Sequence, residues 1–272
     1  KRSANPLYSN DCKECRFRKE SDDDSSYGRL VMRITVLTLF PEMYRDFVST
    51  SIIGRAIERG LVTVDFVQIR DFAHDNYRHV DDKPFGGGLG QVMKCQPVLD
   101  ALNSVKTENS YSMMMSPAGN VYNQSKARQL SQKDHLILLC GHYEGFDARI
   151  NKHVDELVSI GDYVLTGGEM ASMVIMDSVI RLLNGVIREG STDDESHENG
   201  LLEYPQYTQP ADYQGDKVPD ILLSGHHAKI QEWRTQQSLL LTKKVRPDLF
   251  EKHQFTEYEE KVWKKLCEQE SE

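Results

Sequence analysis

Four glycine-bearing segments hold most of the residues in this chain whose types and spacing could do chemistry. The first is His79-Val-Asp-Asp-Lys-Pro-Phe-Gly-Gly-Gly-Leu-Gly90. Successive glycines let a backbone approach a ligand closely and adopt positive φ where other residues cannot. No Gly-Lys-Ser/Thr follows, so this is not a P-loop, and it lacks the strand-to-helix placement of a dinucleotide-binding turn. Taken alone it is equally compatible with a plain flexible loop. The others are Met115-Ser-Pro-Ala-Gly119, Cys140-Gly-His-Tyr-Glu-Gly145 and Ile160-Gly-Asp-Tyr-Val-Leu-Thr-Gly-Gly-Glu169. Loops at the carboxyl ends of parallel strands are where open α/β sheets bind ligands. Three such loops converging would offer backbone donors and acceptors to an adenine and a ribose, although the pattern does not name the ligand. No metal site is expected. Cys12-x-x-Cys15 has no second pair to complete four ligands, and the adjacent His226 and His227 cannot readily face one ion.

The elements that must position these loops alternate. Ile34–Phe40, Val62–Ile69, Tyr111–Met115 and His135–Cys140 read as strands, the last as a buried apolar run. Ile52–Arg59, Pro97–Val105, Asn123–Leu130, Phe146–His153 and a long stretch Met170–Leu183 read as helices. In the long helix Met170, Met173, Val174, Val179, Ile180 and Leu183 are expected to form the core face. Strands separated by helices imply an α/β domain with a mostly parallel sheet flanked by helices, spanning 32–187. Residues 188–199 are polar, acidic and glycine-bearing, the character of a mobile linker. Beyond them, in 200–272, Leu239–Leu241, Leu249, Phe250, Val262, Trp263 and Leu266 suggest a small helical domain. Residues 1–31 carry the acidic run Ser21-Asp-Asp-Asp-Ser-Ser26 without periodicity, and are expected to be a disordered extension or expression remnant outside the fold.

The bulk numbers set limits. A chain of 272 residues can bury a substantial core. No apolar run approaches the ~20 residues that a membrane-spanning helix needs. Five scattered cysteines argue against a disulfide framework and for a reducing cytoplasm. A net charge of −9 points away from nucleic acid, yet phosphates are bound by local patches. Between Gly225 and Arg246 the cations Lys229, Arg234, Lys243, Lys244 and Arg246 face one acid, Glu232.

Read together, the motifs resemble the bacterial tRNA (guanine-N1-)-methyltransferases of the SPOUT superfamily. The resemblance runs in unbroken order through Leu39-Phe-Pro-Glu-Met43, Val80-Asp-Asp82, Gly86-Gly-Gly88 and Cys140-Gly-x-Tyr-Glu-Gly145. It continues with Ile160-Gly-Asp-Tyr-Val-Leu-x-Gly-Gly-Glu169, Asp177-Ser178 and Gly200-Leu-Leu-Glu-Tyr-Pro-Gln-Tyr-Thr208. Val218-Pro-Asp220, Leu223-Ser-Gly-His226 and Arg246-Pro-Asp248 complete it. One such loop would be weak; the ordered set from Met32 to about Phe250 is very specific.

The resemblance implies a sheet threaded into a trefoil knot, an arrangement that periodicity could not reveal. It further implies an obligate homodimer with active sites at the interface, S-adenosylmethionine as methyl donor, and tRNA as substrate. The target would be N1 of the guanosine 3′ of the anticodon. The cofactor would be held by Met115, Ser116 and Pro117, by Gly141, Tyr143 and Gly145, and by Ile160, Gly161, Asp162, Tyr163, Val164, Leu165, Gly167 and Gly168. Asp81, Gly90, Glu144, Ser196 and His226 would face the RNA, and Arg181 would stabilise charge developing on O6. A Mg²⁺ requirement is a family expectation with no ligand set behind it.

The family's general base is an aspartate followed by serine, five residues before the Gly-Leu-Leu. That position holds Glu195, followed by Ser196, with Asp194 adjacent, so the base is one of these two acids. Glutamate is competent but one methylene longer. Three more departures stand beside it: His197 in place of an aromatic, Leu89 in place of a common proline, and His142 in place of a common arginine. The alternatives are a relative with a shifted RNA target and an RNA-binding dimer that has lost its base. A nucleotide-dependent oxidoreductase lacks its Gly-x-Gly-x-x-Gly.

Overall fold

The computed structural model describes residues 31–188 and 195–269. Five parallel strands form the central sheet: β1 (Met32–Thr38), β2 (Val62–Gln68), β3 (Ser110–Val121), β4 (His135–Leu139) and β5 (Glu156–Ser159). Their order is β2-β1-β4-β3-β5. The pairing runs in register from Arg33 opposite His135 to Leu37 opposite Leu139, and from Ser110 opposite His135 to Met114 opposite Leu139.

The central strand β4 is a near-continuous apolar run, buried throughout, because both faces of the sheet are covered. Alternate residues then serve two different cores. Ile34, Val36, Met113, Met115, Leu136 and Leu138 point to one cluster; Leu37, Met114, Ile137 and Leu139 point to the other. Helices α1 (Ser51–Glu58), α3 (Gln124–Leu130) and α4 (Glu169–Ile180) cover the first face through Ile53, Ala127 and Ile175. Helix α2 (Cys95–Val105) covers the second through Val98, Ala101 and Leu102. Helix α3 starts where it does because Asn123 Oδ1 accepts from the Lys126 amide at 3.0 Å.

Several sequence expectations need correction. β3 does not stop at Met115: after a register break, Asn120 and Val121 pair with Val158 and Ser159. β5 itself was not expected, since four residues directly after a helix-like run give too little alternation to read. Phe146–His153 is no α-helix; only Ala148–His153 coils, as a 3₁₀ turn. Helix α4 ends at Ile180, so Leu183 lies past it. Its buried face is Ala171, Ser172, Ile175, Met176 and Val179, with Ile180, whereas Met170 and Val174 are 53% and 47% exposed. Ser172 lies on the buried face while Met170 and Val174 lie on the open one, so apolar periodicity did not select the whole face.

Two helices dominate the C-terminal region, α5 (His227–Val245) and α6 (Glu257–Gln269). They close on a separate small core of Leu201, Leu239 and Val262, with Phe250, Phe255 and Trp263 against it. The chain entering this region is stitched to α5: Thr242 Oγ1 accepts from the Leu202 amide at 2.9 Å, and Ser238 Oγ donates to the Leu202 carbonyl at 2.5 Å. Among the described residues no helix is long and apolar enough to cross a membrane. Cys12 and Cys15 lie outside the described residues, and Cys95 and Cys140 are free thiols.

Edge strand β5 is held at its first residue. The Glu156 side chain is 8% exposed and pairs with Lys126 Nζ at 2.7 Å, while Tyr111 Oη donates to it at 2.9 Å. Burial pushes the Glu156 carboxyl up, but the Lys126 and Tyr111 bonds outweigh this and hold it below the usual range. A depressed folded-state pKa stabilises above the unfolded value and is lost as pH falls through the folded value. Lys126→Met should therefore destabilise by ~1–3 kcal/mol at neutral pH. In urea unfolding at several pH values the deficit should shrink as pH falls below the carboxylate range.

Candidate active site

Because all five strands are parallel, the register break in β3 after Met115 and the loops after β4 and β5 lie at the same edge of the sheet. They meet at Gly168. A Cβ there would stand 2.8 Å from Cys140 Cα, 3.0 Å from the Gly141 amide nitrogen and 3.1 Å from Met115 Cβ. Its φ of −80° is open to any residue, so glycine is needed for room and not for conformation. The Gly168 amide donates to the Gly141 carbonyl at 2.9 Å, and His142 bridges Gly167 in a short antiparallel contact. Met115, Gly141, Gly167 and Gly168, expected to share one pocket, are thus brought together. Ser116 and Pro117 continue the loop after Met115, and the Ser116 hydroxyl accepts from the Ala118 amide at 3.2 Å. Ile160 and Gly161 turn the chain away from β5, and Asp162, Tyr163, Val164 and Leu165 form its exposed crest. Val164 is 98% exposed.

The glycine-rich segment lies against the 140–147 loop. The Glu144 amide donates to the Gln91 carbonyl at 2.9 Å, and the Met93 amide to the Gly145 carbonyl at 2.9 Å. Gly90 (φ +84°) lies directly against the Glu144 carboxylate, which a Cβ there would displace. Asp81 pairs with Met93 in a two-residue antiparallel ladder. Asp81, Gly90 and Glu144 are therefore joined as one wall. Tyr143 takes a left-handed φ of +60°, a strained backbone of the sort that concentrates at functional sites. Its hydroxyl accepts from Arg70 Nη2 at 3.4 Å.

A network that sequence reasoning missed ties these loops to the sheet. Glu169, the first residue of α4, is 1% exposed; it pairs with His142 Nε2 at 2.7 Å and accepts from Thr38 Oγ1 at 2.6 Å. The available signal was an acid at a helix start directly after paired glycines, which was read only as part of a motif. Nearby, burial pushes the Cys140 thiol up to about 12, so it is no nucleophile.

Arg181 caps the other end of α4. Its guanidinium forms a bidentate pair with Glu195, Nη2 to Oε1 and Nη1 to Oε2, both 2.7 Å. The side chains are 25% and 33% exposed, and the Glu195 bonds raise the Arg181 pKa above its ordinary value. Two residues assigned separate roles from the sequence are thus direct partners. Asp194, the other candidate base, lies outside the described residues. The Ser196 hydroxyl accepts from the Glu203 amide at 2.9 Å, so it braces the chain leading into the helical region. His226 precedes α5 and is exposed; no hydrogen bond, ion pair or ring contact among the described residues joins it to the loops. The cationic patch is also thinner than its count: Arg246 pairs with Asp248 at 2.7 Å, and Arg234 stacks over Tyr204 at 4.8 Å. Lys243 Nζ lies over the Trp263 ring at 4.7 Å, and Lys229 and Lys244 are exposed. Among the described residues no group of three His, Cys, Asp or Glu could hold a metal ion.

Gly168→Ala tests the convergence directly. With backbone on two sides, the added methyl should cost ~1–3 kcal/mol as overpacking does, lowering the urea midpoint. An unchanged midpoint would mean that the loops are not packed as described.

Comparison with known proteins follows the same residues. Residues 32–252 match the family described as tRNA (Guanine-1)-methyltransferase TrmD. A tRNA (guanine-N(1)-)-methyltransferase of Ruminiclostridium cellulolyticum is 57% identical over 81% of this chain and 97% of its own length. Proteins of the same name from Clostridium botulinum and Clostridium perfringens are 52% and 49% identical, over 86% of this chain and 98% and 99% of theirs. With the ordered motifs and the paired Arg181 and Glu195 in place, the chain belongs to the tRNA (guanine-1)-methyltransferase TrmD family.

Proposed function

We propose that this chain transfers a methyl group from S-adenosylmethionine to N1 of the guanosine at position 37 of tRNA, immediately 3′ of the anticodon. The observation that carries the reading is the bidentate pair of Arg181 and Glu195. Guanine presents an N1–H donor beside an O6 acceptor; the pair presents a carboxylate acceptor beside a guanidinium donor. Adenine reverses this pattern, with an acceptor at N1 and a donor at N6, so the pair suits guanine and opposes adenine. With Arg181 turned to O6, the Glu195 carboxylate is released to take the N1 proton, and the guanidinium stabilises the anion that results. When bound, S-adenosylmethionine supplies an electrophilic methyl on a sulfonium.

The glycines at 141, 167 and 168 let the loops close tightly on one another, and their backbone, with Met115, Ser116 and Pro117, would line the cofactor. Tyr143, Gly145 and Ile160–Leu165 complete that pocket. Asp81, Gly90 and Glu144 form the neighbouring wall and face the guanine, which is read in a single-stranded loop where its edge is free. The three loops, gripping one another around the start of α4, form the SPOUT trefoil knot. The exposed Met170 and Val174, one turn apart on α4, support a homodimer, since paired apolar side chains at that exposure call for a covering surface. The helical region 200–272 grips tRNA through Lys229, Lys243 and Lys244, with His226 and Ser196 at its approach. The setting is cytoplasmic, and no residue role is assigned to Mg²⁺.

The test is methyl transfer from labelled S-adenosylmethionine to unmodified tRNA bearing guanosine 3′ of its anticodon, with the product mapped to the atom. Methylation at N1, absent with adenosine there and reduced by ~10²–10⁴ in Glu195→Ala, is the expected result. Transfer to another position, or cofactor binding without transfer to any tRNA, would overturn it.

A further inference from the structure

Three residues beyond the base, Glu198 stands in a stretch, Glu195-Ser-His-Glu-Asn199, that has no apolar side chain to anchor it. Its side chain is nonetheless 8% exposed, against 33% for Glu195. It accepts from Gln124 Nε2 at 3.0 Å and from Arg128 Nε, two donors one turn apart on the same face of α3. A carboxylate at that depth is tolerated only with such partners. Between the two acids the chain makes a turn: the Glu198 amide donates to the Glu195 carbonyl at 3.2 Å, and the His197 amide to the Leu201 carbonyl at 2.7 Å.

Helix α3 is also what fixes Arg181. Ala127 and Leu130 share a core cluster with Ile175, Met176 and Val179 of α4. Tyr122, just before α3, hydrogen-bonds Ser178 on the last turn of α4 at 2.6 Å. Both members of the catalytic pair are therefore referenced to one short helix, Arg181 through packing and Glu195 through Glu198.

We infer that Glu198 is a positioning residue for methyl transfer: clamped by Gln124 and Arg128, it holds the turn that sets Glu195 against Arg181. The inference rests on Glu195 as the base. Misplacing a catalytic group by about 1 Å can cost ~10²-fold in rate. Loss of the clamp therefore acts on kcat and spares the distant cofactor loops.

The experiment compares the full chain with its Glu198→Ala, Glu198→Gln and Glu195→Ala variants. It measures kcat and KM for tRNA, S-adenosylmethionine affinity by calorimetry, and Tm. Glu198→Ala should lower kcat roughly 10- to 100-fold, with S-adenosylmethionine affinity and Tm close to those of the unaltered chain. Glu198→Gln keeps a carbonyl acceptor for Arg128 and should recover most of the loss. Glu198→Ala at full kcat, beside an inactive Glu195→Ala, overturns the clamp alone. So does a fall in kcat accompanied by equal losses of cofactor affinity and Tm. An active Glu195→Ala overturns the base assignment, and the clamp with it.

Discussion

The approach of three backbones at Gly168 is the contact on which the rest of the site depends. Cys140, Gly141 and Met115 come within 3.1 Å of the position a Cβ on Gly168 would take. Parallel strands make this possible, because the break in β3 after Met115 and the loops after β4 and β5 all lie at the same sheet edge. Closeness on that scale cannot be relaxed by rotating a side chain, since most of what surrounds Gly168 is main chain. Protein interiors resist such intrusion because they are packed as densely as organic crystals. The pocket wall is consequently backbone, with its polar groups already set by hydrogen bonds such as Gly168 to Gly141.

Buried charge organises what surrounds the pocket. Glu169, Glu156 and Glu198 each sit with side chains no more than 8% exposed, and each has a cationic or histidine partner from another element. Of their partners, His142 lies on the 140–147 loop and Lys126 and Arg128 on α3, so the pairs act as cross-braces that apolar packing alone would not specify. The net acidity of the chain is thus partly structural. Local cations, not the overall sum, remain the relevant quantity for RNA.

Much of this was legible beforehand, and the exceptions have physical causes. The apolar run His135–Cys140 announced a buried strand, and it stands over His135–Leu139 with every residue buried. Four-residue β5 is too short to show a period, and its pairing with β3 depends on a register break that no local pattern encodes. The expected face of α4 holds at Val179 and Ile180 and fails at Met170 and Val174, because polar Ser172 takes a buried position and apolar residues fall on both sides of the helix. Arg181 and Glu195 were placed in related roles only through family likeness; their direct contact is a product of the turn at 195–198. Glu198 resembled one more acid in an acidic stretch, and only the tertiary position of Arg128 distinguishes it.

Helix α4 has Glu169 at one end and Arg181 just past the other. Twelve residues make a rod of ~18 Å, stiff on the scale of the shifts that matter in a site. The loop crossing at its head and the ion pair at its tail are therefore not independent parts but opposite ends of one lever. A tilt imposed by whatever settles among the loops is delivered to the guanidinium, and a pull on the guanidinium is felt among the loops. Thermodynamic reciprocity requires such influence to be equal in both directions.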